Sequence, residues 1–148
     1  MAQYAYEQKY KLVEIPNQAG IARGYYTEEQ FHQLTDWMCR HSSASGALIC
    51  RVYFSPYHPT EDVGNYLEED ISRKPHPGMM LQAQNDLAID LIRSILIGDK
   101  VSDIRAGNAA GVAANLLLGP DCPTEVNGPN YHRINTLLEA KKYIGTSV

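Results

Sequence analysis

Apolar and polar positions along the chain read as strands alternating with helices. "YKLVEI" (10–15) is a short β-prone run that ends in the turn-rich "PNQAGIARG". In "YTEEQFHQLTDWMCRH", Thr27 and Gln30 have capping-box spacing. Phe31, Leu34 and Met38 follow at i, i+3 and i+7, which predicts a helix with that face buried. "GALICRVYF" (46–54) predicts a buried strand, and after it "SPYHPTEDVGNYLEEDIS" (55–72) is a loop long enough to be functional or mobile.

"KPHPGMMLQAQNDLAID" opens with prolines suited to a helix start and sets Met80, Ala83 and Leu87 on one face. "SILIGD" (94–99) is a continuous apolar run of the kind a parallel sheet buries on both sides. Ser102 is placed to cap the helix "DIRAGNAAG", which ends at Gly111. "AANLLLG" (113–119) predicts another buried strand, and "INTLLEAKKYI" a weaker helix. This alternation predicts an α/β fold with a mainly parallel sheet and helices on both faces, forming a single domain over 1–148.

Composition narrows the function. With 148 residues, 44% hydrophobic, the chain can bury a sizeable core. A formal charge of −4 gives no electrostatic reason to expect nucleic-acid binding. No apolar stretch reaches bilayer length, and "MAQYAYEQKYK" does not read as a signal peptide. Three separated cysteines, Cys39, Cys50 and Cys122, suggest reduced thiols in a cytoplasmic protein.

Ligands of open parallel sheets bind beyond the carboxyl ends of the strands. Three polar clusters fall there: "PNQAGIARG", "SRKPHPG" and "GDKVSD". Asp99, at a strand tip, and Asp103, in the next helical turn, can together hold Mg²⁺, which takes one or two carboxylates, waters and phosphate oxygens. A turn aspartate followed by a helix N-terminal charge explains the same letters. Lys74 and Arg73 suit phosphate, and Asn17, Gln18 and Arg23 suit a polar anionic ligand. A solvated basic pair and ordinary turn formers are the bland counterparts. There is no Walker loop, dinucleotide fingerprint or nucleophile triad.

Taken together, "NQAGIARGYYTEEQF", "RKPHPGMMLQAQNDLAID" and "ILIGDKVSDIRAGNAAG" closely resemble segments of the D-glycero-D-manno-heptose 1,7-bisphosphate phosphatases. These belong, with histidinol-phosphate phosphatases, to the haloacid dehalogenase superfamily. The resemblance runs from about residue 10 to about residue 119, in family order. It implies a Rossmann-like fold and Mg²⁺-dependent hydrolysis of a sugar bisphosphate. It also implies Lys74 as the charge-balancing lysine, Asp99 as a magnesium ligand with Asp103 a weaker one, and Asn17, Gln18, Arg23 and Arg73 on the substrate side.

The departures are as informative. The family's first strand, central in its sheet, ends in an Asp-x-Asp that supplies nucleophile and general acid; no Asp-x-Asp occurs in this chain. The phosphoryl-binding Thr of the family's "TNQSG" is Pro16 here, which offers neither hydroxyl nor N–H. The four zinc-ligand places read Ser55, Tyr57, Asp70 and Ser72, so no zinc site is expected.

An N-terminally truncated relative, inactive in isolation, is therefore expected, because losing members of a catalytic unit costs orders of magnitude. A sugar-phosphate or protein-binding module, and a phosphatase completed by another chain, are the alternatives. Without the central strand, its two neighbours should close up, be filled by "AQYAYEQ", or be covered by a homodimer or strand exchange.

Overall fold

A computed structural model describes residues 1–61, 64–119 and 131–145. Cys122 lies outside the described residues. In chain order the elements are α1 (Ala2–Glu7), β1 (Leu12–Glu14), α2 (Ala19–Ala22), α3 (Glu28–Ala44) and β2 (Ile49–Val52). They continue with α4 (Gly78–Leu87), β3 (Ile95–Gly98), α5 (Val101–Ala110), β4 (Ala114–Leu118) and β5 (Tyr131–Ile134). Short 3₁₀ turns span Leu91–Arg93 and Leu137–Lys142.

All pairings are parallel, but the strands form two sheets. β1 pairs with β2, and β3, β4 and β5 form the second sheet in that order. The architecture is thus α/β with a parallel arrangement, as the alternation of periods predicts.

Local chemistry explains most element ends. The Thr27 hydroxyl accepts from the Gln30 amide at 3.1 Å, and the Gln30 side chain returns the bond to the Thr27 amide at 2.9 Å. This is the capping box read from the sequence. Helix α5 ends at Gly111, whose φ of +79° is the left-handed conformation that favours glycine. Ser102, expected as the cap of this helix, lies inside it instead. The cap position is Lys100, whose amide is satisfied by the Asp103 carboxylate at 3.0 Å.

Packing joins the two sheets through one layer. Met80, Leu91, Ala106 and Val112 form a buried cluster against which Ile15 from the β1 side and Leu96 of β3 pack. Beneath the smaller sheet lie Tyr53, Met79 and Ala83, with Val13 and Leu87 against them. On the larger sheet Leu116, Ile134 and Ala140 form a third cluster. Small residues let α5 approach closely: a Cβ at Gly107 would overlap the Asn115 side-chain oxygen of β4.

The two sheets do not close up. Between them runs a cavity of about 900 Å³, lined by residues 12–16 from β1 onward and 95–99 from β3 onward. Nor does the N-terminal segment supply a strand. Residues 2–7 are helical, and Met1 packs against the β3–β5 core while Lys141 sits over the Tyr4 ring at 4.7 Å.

Two further departures concern burial. Leu34, expected on the buried face of α3, is 62% exposed, whereas Phe31 on that face is buried against Phe54, with ring centroids 4.6 Å apart. β3, expected to be buried on both sides, is only half-buried along its whole length.

Candidate functional site

The carboxyl ends of β1 and β3 meet around one lysine. Asn17, just past β1, donates from Nδ2 to the Lys74 carbonyl at 3.0 Å and accepts the Lys74 amide on Oδ1 at 3.0 Å. This reciprocal pair holds the "RKP" segment against the first loop. From there Lys74 Nζ reaches Asp103 Oδ1 at 2.6 Å, with both side chains almost entirely out of water. The other Asp103 oxygen takes the Lys100 amide.

Glycine makes this possible: a Cβ at Gly98 would lie 2.5 Å from Asp103 Oδ2. Asp99, next in the chain, is exposed, and no described side chain or amide engages its carboxylate.

The structure therefore brings Asn17, Lys74 and Asp103 together, with Asp99 at the adjoining strand tip. Asp103 Oδ1 pairs with Lys74 and its other oxygen accepts the Lys100 amide. Asp99 fits Mg²⁺ as one protein ligand, since this ion keeps waters and phosphate oxygens for its remaining positions. Among the described residues no three carboxylate, imidazole or thiol groups converge on a metal position.

Gln18 and the two arginines are placed differently. Gln18 accepts from the Tyr26 hydroxyl at 2.5 Å. Arg23 forms an ion pair with Glu61 and sets Nη2 3.1 Å from His58 Nε2. His58 Nδ1 accepts the Glu61 and Thr60 amides at 3.0 and 3.3 Å, which assigns the ring proton of the neutral form to Nε2.

Arg73 donates to the Tyr57 carbonyl at 2.9 Å. Burial lowers its pKa from the usual arginine value, and the neighbouring Arg23 charge acts in the same direction.

At the places of the expected missing zinc ligands, Ser55 is fully buried with an unpartnered hydroxyl, and Asp70 caps the Ser72 amide at 2.7 Å.

One group was not singled out by the sequence. Glu14, the last residue of β1, lines the cavity. Glu14 is exposed as a residue, yet partial desolvation raises its carboxyl pKa above the ordinary 4.5, with the Lys74 ammonium partly opposing the rise. A raised pKa in the folded state favours folding below pH 4.5 and loses that contribution as pH rises through the folded value. Glu14→Gln should therefore be more stable than wild type at pH 7 in urea unfolding, and the difference should shrink as pH falls below 4.5. A difference that grows on acidification would contradict this reading.

Known proteins resemble this chain in sequence and in fold. A family model described as HAD-hydrolase-like matches residues 71–137. The D-glycero-alpha-D-manno-heptose-1,7-bisphosphate 7-phosphatase of Burkholderia mallei is 50% identical over 109 residues, covering 74% of this chain and 58% of the relative. The D-glycero-beta-D-manno-heptose-1,7-bisphosphate 7-phosphatase of Photorhabdus laumondii is 39% identical over 137 residues, covering 91% of this chain and 73% of the relative. With the first two relatives the matched part spans 58% and 65% of their length.

Among solved structures, a HAD-like phosphatase from Mesorhizobium loti superposes with a TM-score of 0.82 at 30% identity, over 95% of this chain and 66% of the other. A D,D-heptose 1,7-bisphosphate phosphatase from B. bronchiseptica, complexed with magnesium and phosphate, matches at a TM-score of 0.67 and 23% identity, over 79% and 61%. The second likeness shows the fold alone. Sequence identity and parallel α/β architecture lead to one conclusion: the chain belongs to the heptose-1,7-bisphosphate 7-phosphatase family of HAD-like hydrolases.

Proposed function

We propose that residues 1–148 bind a heptose phosphate together with Mg²⁺ in the cytoplasm and, as an isolated chain, do not hydrolyse it. The observation that carries this is Lys74, pinned by Asp103 beside the uncommitted Asp99, in a sequence with no Asp-x-Asp. Lys74 balances the phosphate charge, Asp99 supplies a carboxylate to the ion, and Asn17 fixes the lysine's backbone. Gln18, Arg23 and Arg73 serve the sugar-phosphate side. Hydrolysis would need a carboxylate in line with phosphorus, which electrostatic helpers do not replace. The free thiols of Cys39 and Cys50 fit a reducing compartment.

Heptose 1,7-bisphosphate at a hundredfold excess over its Kd, with Mg²⁺, should raise the melting temperature by about 5–10 °C. Asp99→Ala should abolish the magnesium-dependent part of that shift, and no inorganic phosphate should appear. A flat melting response, or phosphate release by the isolated chain, would overturn the reading. The open cavity favours one second reading, a phosphatase completed by another chain, which predicts release only on mixing with a chain that carries the missing motif.

A further inference from the structure

The segment after β2 runs beside the first loop. Asn17 and Ser55 form a parallel bridge, and the Gln18 amide donates to the Ser55 carbonyl at 2.7 Å. From there residues 57–61 reach both arginines that the proposed function places on the sugar-phosphate side. Arg73 donates from Nη1 to the Tyr57 carbonyl at 2.9 Å, and Arg23 pairs through Nε with the Glu61 carboxylate.

These two contacts differ in kind. A carbonyl orients the Arg73 guanidinium without cancelling its charge, whereas the Glu61 carboxylate cancels that of Arg23. Burial chiefly, and the Arg23 charge after it, lowers the Arg73 pKa, so the two cations sense each other. Glu61 is thus the counter-ion that lets them sit near one another.

The loop delivers this carboxylate from a fixed root. The Glu61 amide donates to His58 Nδ1 at 3.0 Å, and His58 is itself buried. In turn the His58 amide donates to the Tyr66 carbonyl at 3.0 Å. The pair itself is wet, with side-chain exposures of 37% for Arg23 and 53% for Glu61. An ion pair that exposed favours its closed form by only about two- to fivefold.

Arginine takes a phosphoryl group side-on through two neighbouring N–H donors. In Arg23 both atoms of that fork are covered: Glu61 holds Nε, and His58 Nε2 lies 3.1 Å from Nη2. Of the two neighbours, the buried histidine is fixed and the exposed carboxylate is replaceable. An incoming oxygen reaches Nε by taking the place of Glu61.

We propose that Glu61 is an internal competitor for Arg23, occupying the guanidinium in the unliganded protein and giving way to an oxygen of the phosphorylated ligand on binding. The exchange rests on the reading above that Arg23 faces the sugar phosphate. Before exchange Glu61 offsets the repulsion between the arginines, and afterwards the ligand does so.

The test uses the full chain, labelled with ¹⁵N, and inorganic phosphate as the probe, without Mg²⁺ so that Asp99 takes no part. The Arg23 Nε–H resonance, assigned by its loss in Arg23→Gln, should move on phosphate addition. Glu61→Gln should bind phosphate about two- to fivefold more tightly than wild type. Glu61→Asp separates contact from field, because it keeps the charge and loses one methylene of reach; it should follow Glu61→Gln. In the Arg23→Gln background, adding Glu61→Gln should leave phosphate affinity unchanged.

Unchanged affinity in Glu61→Gln, or wild-type affinity in Glu61→Asp, would overturn the proposal. So would an Arg23 resonance that phosphate moves in neither wild type nor Glu61→Gln, or tighter binding from Glu61→Gln without Arg23. Any of these with magnesium-dependent stabilisation by heptose 1,7-bisphosphate intact strikes the role of Glu61 alone. Loss of that stabilisation as well would strike the underlying reading of the site.

Discussion

Lys74→Met is expected to lower the unfolding free energy by about 3–5 kcal/mol. The methionine keeps most of the apolar stem, so the change isolates the charge. In the native protein the Lys74–Asp103 pair is buried at 2.6 Å, with side-chain exposures of 11% and 7%. A surface pair would contribute about 0–1 kcal/mol and would be screened by salt. Here removal of the ammonium leaves a buried carboxylate whose other partner among the described residues is the Lys100 amide.

The cost lies chiefly in that stranded charge rather than in the lost attraction. Asp103→Leu with Lys74→Met should therefore recover much of the loss, because two apolar side chains need no pairing. Urea unfolding of both singles and the double at one pH gives the coupling directly. A single-variant loss below about 1 kcal/mol would place the pair with ordinary surface ion pairs. Heptose-phosphate-dependent stabilisation should vanish in Lys74→Met and stay absent in the double variant, which separates the lysine's two roles.

Local signals carried well from sequence to structure. The Thr27–Gln30 box, the Gly111 end and the buried positions Met80 and Ala83 each depend on a few neighbouring residues, and each is found. What sequence periodicity could not show was the gap. β3 carries the apolar letters of a buried element, but burial needs a neighbour, and the space beside it is open.

β5 was also missed, because "YHRI" is short and half polar. It pairs in register with β4, and only Ile134 is fully buried. At the site, spacing placed Asp99 and Asp103 together as cation ligands. The structure adds an assignment that spacing did not offer, Asp103 as the partner of Lys74. Such an assignment turns on a residue 29 positions away, Lys74, which no local pattern reaches.

Leu116→Ala should cost about 3 kcal/mol, and the way that loss is distributed should reveal how tightly the two sheets are coupled. Leu116 is fully buried in the middle strand of the larger sheet, packed with Ile134 and Ala140. Truncation removes transfer energy and leaves a cavity, because flanking strands restrain collapse. If the molecule unfolded as one unit, amides of β2 and β4 would lose protection equally.

Their coupling is limited, however. No backbone hydrogen-bond ladder crosses from β1 to β3, and the sheets share chiefly the layer around Met80, Leu91, Ala106 and Val112. Local openings are set by such differences in contact. In native-state hydrogen exchange, Leu116→Ala should therefore speed exchange in 114–118 and 131–134 by the full amount, and in 49–52 by clearly less. Equal acceleration at both places would mean that the shared apolar layer alone binds the two sheets into one cooperative unit.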